Sequence, residues 1–326
     1  MGLRFAAAFV ATLISRLRRG PARPSWSLLF EALIRTLQRT ALVIAERDAL
    51  EQRRSWQAIA APNALRAEVR VEPVDAGGVA ARWVIARGVP ADAPALVYFH
   101  GGSYRYGSFE SHAELASRLS RAGAVRVLFV EYRLAPPHVF PAAVDDAVTA
   151  TRWLAAIEAP SRILVGGDSA GAALALATLL SLRDAGDALP AGGVLICPWV
   201  DVSARGGSLE TNARWDWALP QHFIDWARGY APEAEWTNPL VSPSFAELRG
   251  LPRLLIQIGG AEMLLDQVRC FAEKATAAGV DVHLTEEPDM VHDWHLFAAF
   301  SKTAARSIDE AGAFMRSALQ PADVAV

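Results

Sequence analysis

The sequence is short of several things that would tie it to particular functions. It has only two cysteines in 326 residues, Cys197 and Cys270. They lie far apart and form no Cys-x-x-Cys pair, so a disulfide framework and a thiolate metal cluster find no support. They read as reduced, buried thiols of a cytoplasmic protein. Basic residues are not in excess, the net charge being −3, and no nucleic-acid partner is suggested. No internal repeat, low-complexity tract or Gly/Ser linker divides the chain. Long apolar runs are missing too. Phe5 to Ile14 is about half the roughly twenty residues that a membrane-spanning helix needs. Arg4 precedes the run, but most of the charge, Arg16, Arg18 and Arg19, follows it, whereas a signal peptide wants its basic residues first and a small-residue cleavage site after. An amphipathic helix lying on the protein body, or weakly on a membrane surface, fits the pattern.

What is present is apolar material in a definite order. Just over half the residues are hydrophobic (52%), enough for a large core. Residues 1–60 read as helical, with Leu28, Leu29, Ala32, Leu33 and Leu37 near a 3.6-residue period. Alternation at Val69, Val71 and Val74 marks a strand, and Trp83-Val84-Ile85 its hairpin partner. From Ala95 short apolar runs alternate with helical stretches. The predicted strands are Leu96–Phe99, Val127–Val130, Ile163–Val165, Val194–Ile196, Leu254–Ile258 and Val282–Leu284. Helices are expected near Ser111–Ala122, Pro141–Ala156, Ala170–Ala185 and Gln267–Ala278, and again after His292. Uniformly apolar strands separated by helices indicate an α/β fold, a mostly parallel central sheet covered on both faces. Residues 1–60 and 202–239 stand outside this alternation. The second stretch is rich in aromatics: Trp215, Trp217, Phe223, Trp226, Tyr230 and Trp236. The two together read as a helical cap over a core made of residues 61–201 and 240–326.

The chemistry gathers around Ser169. It lies in Gly167-Asp-Ser-Ala-Gly171, between the apolar run Ile163–Val165 and an alanine- and leucine-rich helix. Such a Gly-x-Ser-x-Gly turn forces the serine into strained dihedrals and needs glycines where side chains would collide. It presents the hydroxyl at a helix N-terminus, where unpaired N–H groups favour developing negative charge. An acyl-transfer serine also needs donors for the oxyanion. Gly101 and Gly102, in His100-Gly-Gly-Ser103 after the first parallel strand, can bring backbone N–H groups close to a carbonyl, and Ala170 supplies the other N–H. His100 more plausibly braces this loop.

A base is expected after the last strand, where His292 stands in Pro288-Asp-Met-Val-His-Asp-Trp. His295 is the alternative, three residues on and facing elsewhere. His112, His138, His222 and His283 read as surface or packing residues. A carboxylate is expected after Leu254–Ile258, where Glu262 is nearer the strand end. Asp266 is the alternative, better placed to open the following helix. His292-x-x-His295 is not the His-Glu-x-x-His of a zinc site, and no phosphate-loop lysine or dinucleotide fingerprint occurs, so no cofactor or metal is expected.

These motifs together resemble the hormone-sensitive-lipase-like esterases of bacteria (family IV) within the α/β-hydrolase superfamily, over about residues 65 to 315. The likeness also rests on Glu131-Tyr-Arg-Leu-Ala-Pro136, Phe140-Pro-Ala-Ala143, Cys197-Pro-Trp-Val-Asp201 and Asn238-Pro-Leu-Val-Ser-Pro243. Two departures stand out: Ser103 replaces the third glycine of His-Gly-Gly-Gly, and Glu262 replaces the commoner aspartate. The resemblance implies an α/β-hydrolase fold, a carboxylesterase acting on short- to medium-chain acyl esters, and a cap built partly from the N-terminal helices. A Ser169–His292–Glu262 triad would act through an acyl-enzyme, with activity falling as His292 protonates below about pH 6 to 7. Tyr104 and Trp215 are candidate pocket walls, along with Trp217, Phe223 and Trp226. The partner is then a small-molecule ester, with no stable membrane span, and a homodimer is left open. Acyltransferase or amidase chemistry on the same scaffold, and a ligand-binding receptor, are the rival readings.

Overall fold

The computed structural model describes residues 2–57, 68–203, 206–218 and 220–320. The expected boundary between residues 60 and 61 lies outside the described residues. Eight strands form one sheet: β1 (Val69–Asp75), β2 (Ala80–Ala86), β3 (Ala95–Phe99), β4 (Arg126–Val130), β5 (Ile163–Asp168), β6 (Gly192–Ile196), β7 (Leu254–Gly259) and β8 (Val282–Glu287). Their order across the sheet is β1-β2-β4-β3-β5-β6-β7-β8. The pairs β1–β2 and β2–β4 are antiparallel, and the others are parallel. Every residue of β3, β5, β6 and β7 is buried, as strands covered on both faces must be.

Side chains alternate across the sheet, so each strand feeds two cores. Val97 and Phe99 of β3 point to one face, and Leu96 and Tyr98 to the other. The first face packs against α5 (Ala142–Ala155), α6 (Ala170–Asp184) and α9 (Leu265–Ala277), through residues such as Leu154, Leu176 and Phe271. The second packs against α4 (Phe109–Gly123) and α10 (Lys302–Ala318), through Leu115, Leu119, Ile308 and Met315.

Three helices precede the sheet: α1 (Gly2–Arg19), α2 (Leu28–Ala45) and α3 (Ala49–Gln57). Phe30, Ile34 and Leu37 of α2 join the second core. The expected amphipathic helix forms as α1 and packs on α2, with Ala8 and Thr12 buried. Its other side leaves Val10, Leu13, Ile14 and Leu17 exposed. Among the described residues no helix is long and apolar enough to cross a membrane. The aromatic stretch between β6 and β7 carries the short helices α7 (Gly207–Thr211) and α8 (Pro220–Tyr230). Parallel strands aligned in this way bring their C-terminal ends, and the loops that follow, to one edge of the sheet. The loops after β3, β5, β7 and β8 hold His100–Ser103, Ser169, Glu262 and His292.

Candidate active site

Ser169 joins β5 to α6 with φ 52° and ψ −119°, in the positive-φ region that non-glycine residues rarely occupy. Close packing explains both flanking glycines. A Cβ on Gly167 or on Gly171 would overlap the carbonyl oxygen of Phe99 at the end of β3. The turn is pinned by the Ser169 N–H, which donates to the Ile196 carbonyl at 2.8 Å. Ala170 follows as the first residue of α6.

The loop after β3 turns through three successive positive φ angles, at Gly102 (116°), Ser103 (54°) and Tyr104 (58°). Ser103 therefore takes up the left-handed backbone that a third glycine would adopt freely, at a cost in strain. A Cβ on Gly102 would lie 2.6 Å from the Tyr106 carbonyl. His100 braces this loop as expected. Its ring stacks on Tyr132 at 4.5 Å, and its Nδ1 lies 2.8 Å from the Gly101 oxygen. Burial is the main cause that lowers it to about 4.

His292 lies between the other two predicted partners. Its Nε2 is 2.8 Å from Ser169 Oγ, and its Nδ1 is 3.2 Å from Glu262 Oε1. Glu262 is fully buried, and its second oxygen accepts the Gly259 N–H at 2.8 Å. The alternatives are engaged elsewhere. His295 faces Gln257 at 3.0 Å, and burial lowers it to about 3. Asp266 accepts the Ser208 N–H at 2.7 Å and returns its own N–H to Ser208 Oγ. It thus pins α7 to the start of α9.

Three carboxylates gave no signal in the sequence. Asp293, next in line after His292, brings Oδ2 to 3.3 Å from His292 Nε2. Asp216 is buried and accepts N–H groups from Trp217, Met263 and His292. Asp168, the variable residue of the Gly-x-Ser-x-Gly turn, is held by the Tyr98 hydroxyl and by His112 at 3.1 Å. His112, read as a surface or packing residue, is buried and bonded to the residue before Ser169. Burial alone would lower His292. The charge of Asp293, the Glu262 hydrogen bond and charge, and the charge of Asp216 outweigh it and lift the imidazole to about 10.

Cys197, Glu262 and His292 each bring one ligand atom within 4.8 Å of the others. These atoms already serve one another and their neighbours: the Asp293 N–H donates to Cys197 Sγ, while Glu262 and His292 are bonded as above. The donor set therefore reads as a hydrogen-bonded cluster.

Ser169 and His292 open into a cavity of about 150 Å³. Gly101, Gly102 and Ser103 line it on one side, and the apolar wall includes Leu37 of α2, Trp56 of α3, Trp217, Phe223, Trp226 and Phe297. Two expected wall residues lie elsewhere. Tyr104 is buried behind the loop, stacked on Tyr230 at 3.7 Å. Trp215 has the guanidinium groups of Arg23 and Arg214 over its ring, at 5.4 and 4.5 Å from the centroid. Residues 212–218, between α7 and α8, form no helix, so nothing in their spacing separates Trp215 from Trp217.

The chain is similar to known proteins. A family model of the alpha/beta hydrolase fold matches residues 96–296. An acetyl-hydrolase of Streptomyces hygroscopicus is 42% identical over 247 residues, 75% of this chain and 82% of its own. An esterase of Acinetobacter venetianus is 31% identical over 280 residues, 79% of this chain and 89% of its own. The solved structure of an esterase from the bacterial hormone-sensitive lipase family superposes with a TM-score of 0.83 at 38% identity, covering 88% of this chain and 98% of that one. The chain belongs to the hormone-sensitive-lipase-like bacterial esterases of the α/β-hydrolase fold.

Proposed function

We propose that the protein is a carboxylesterase that hydrolyses short- to medium-chain acyl esters through an acyl-enzyme on Ser169. The observation that carries this reading is the continuous chain Ser169 Oγ–His292 Nε2 (2.8 Å) and His292 Nδ1–Glu262 Oε1 (3.2 Å), opening on an apolar cavity. His292 takes the proton of Ser169 as its oxygen attacks the ester carbonyl, and Glu262 fixes the tautomer and stabilises the imidazolium. The N–H groups of Gly101, Gly102 and Ala170 receive the oxyanion. His292 then protonates the leaving alcohol, and water attacks the acyl-enzyme by the same route.

Residues 1–60 and 202–239 act as the cap. Leu37 and Trp56 from the first stretch and Trp217, Phe223 and Trp226 from the second, all on the cavity wall, support that role. Both thiols are free, Cys197 buried as expected but Cys270 exposed on α9, and they suit a reducing compartment such as the cytoplasm. A small-molecule ester is the only partner the reaction needs, and a homodimer is compatible with it. Turnover of p-nitrophenyl butyrate by the wild type, set against Ser169→Ala, tests the reading. Activity that survives the substitution, or a wild type without turnover, overturns it. An amide analogue and an added alcohol acceptor separate the ester hydrolase from an amidase and an acyltransferase.

A further inference from the structure

We propose that Asp216 and Trp217 are positioning residues that set the distance between Glu262 and His292, a role that rests on the triad reading above. Asp216 is 1% exposed. Its Oδ1 accepts the N–H of Trp217 at 2.8 Å and of His292 at 3.2 Å, and its Oδ2 accepts the N–H of Met263 at 2.9 Å. The indole N–H of Trp217 donates to the His292 carbonyl at 2.7 Å. The Asn212 side-chain amide donates to the Glu262 carbonyl at 2.9 Å.

One segment therefore grips both loops. The N–H and the C=O of His292 are bound by Asp216 and Trp217. The peptide unit that follows Glu262 is bound at its oxygen by Asn212 and at its N–H by Asp216. The loops after β7 and β8 have their backbones joined across this carboxylate, so its two oxygens fix the spacing of acid and base. Only an acceptor-only group serves here. Three N–H donors converge on it, and an asparagine in its place would turn a donor toward a donor.

The choice of a carboxylate is informative because the position disfavours charge. Burial, and the nearby Glu262 as a like charge, raise Asp216 to about 6 against the attraction of His292. A group held there at such a cost is better explained by what it holds than by stability alone. The grip also reaches outward. The Trp217 ring lines the cavity, and Gln38 of α2 donates to the Asp216 carbonyl at 2.8 Å. The segment that shapes the acyl pocket is thus the one that carries the backbone of the base.

Asp216→Asn keeps the shape and loses the second acceptor oxygen. Misplacement of reacting groups by about 1 Å can cost on the order of a hundredfold, and kcat for p-nitrophenyl butyrate should fall by about that factor. KM should stay within about threefold, because the wall is intact. Inactivation of Ser169 by phenylmethylsulfonyl fluoride should slow in proportion, as it needs the same activated hydroxyl. In a Glu262→Gln background the further loss should nearly vanish, because the two act as one unit. Trp217→Phe keeps a ring on the wall, loses one bond to His292 and should cost about tenfold in kcat. It carries the same readouts where Asp216→Asn fails to fold. Unchanged kcat, a raised KM with kcat intact, or an undiminished cost in the Glu262→Gln background overturns the proposal. Ser169→Ala in the same assays tells the two readings apart. If it is inert while Asp216→Asn matches wild type, only the positioning role fails. If it stays active, the triad reading itself fails.

Discussion

Oδ2 of Asp293 lies 3.3 Å from Nε2 of His292, the nitrogen that also faces Ser169. Where Asp293 is ionised its charge favours the imidazolium, while burial and the like charges of Asp168, Glu262 and Asp216 push the Asp293 carboxyl itself up against the pull of His292. A base must be unprotonated to work. A folded-state pKa raised from 6.5 to about 10 therefore moves the acidic limb of the rate profile up, above the pH 6 to 7 expected for an ordinary histidine. We predict that kcat/KM, corrected for spontaneous hydrolysis, is still climbing between roughly pH 7 and 9. Asp293→Asn removes one charge and should bring that limb down by about one to three units. A wild-type plateau already complete at neutral pH, or a limb that stays put in the variant, contradicts this account.

Glu262 and Asp266 have separable duties. Glu262→Gln leaves His292 without its anionic partner and should lower kcat on the order of a thousandfold or more. Asp266→Asn weakens the link to Ser208 instead, so it should cost about 1 kcal/mol of stability and less than tenfold in rate. Steady-state kinetics beside urea denaturation resolves the two. Equal kinetic losses would return Asp266 to contention as the triad acid.

Gly171→Ala places a methyl group onto the backbone carbonyls of Phe99 and His100, which cannot move without shifting β3 and the loop after it. Overpacking of this kind costs about 1 to 3 kcal/mol. A lowered melting temperature is expected together with a lowered kcat, since the same carbonyls begin the proposed oxyanion loop. A variant as stable and active as wild type would mean that the elbow is looser than its geometry shows.

The cavity near Ser169, about 150 Å³, should select acyl length. Each added methylene can contribute about 0.8 kcal/mol to binding until the space is full. The kcat/KM series over p-nitrophenyl esters should therefore rise through short chains and then fall. Trp226, which meets Phe223 edge-on at 5.3 Å, forms part of that wall. Trp226→Ala should move the optimum to longer chains. An unshifted optimum would place the acyl chain elsewhere.

The sheet was legible because burial on both faces leaves little choice of residue. Leu96–Phe99 is apolar throughout and Leu254–Ile258 is apolar but for Gln257, and the structure extends each by a single residue. Ser169 was legible because two glycines must flank it. Ser103 was visible as a departure, though not the left-handed backbone that it has to adopt there. Asp168, Asp216 and Asp293 were hidden for a common reason. Each draws its meaning from a neighbour far away or from a turn that no local pattern encodes: Asp216 from Met263 and His292, Asp168 from Tyr98 and His112. Periodicity in the aromatic stretch could not rank Trp217 over Trp215, because residues 212–218, between α7 and α8, form no helix.

The placing of His292 after β8, the last strand and one edge of the sheet, has a consequence in time. Chains emerge from the ribosome N-terminus first, and parallel strands pair only after distant segments have been made. The growing protein holds its elbow and its glycine loop well before it holds a base. It can be a folded scaffold and still be chemically silent. Under the proposed triad, Ser169 is armed only when β8 docks against β7, so a nascent chain not yet extended past His292 carries an inert nucleophile.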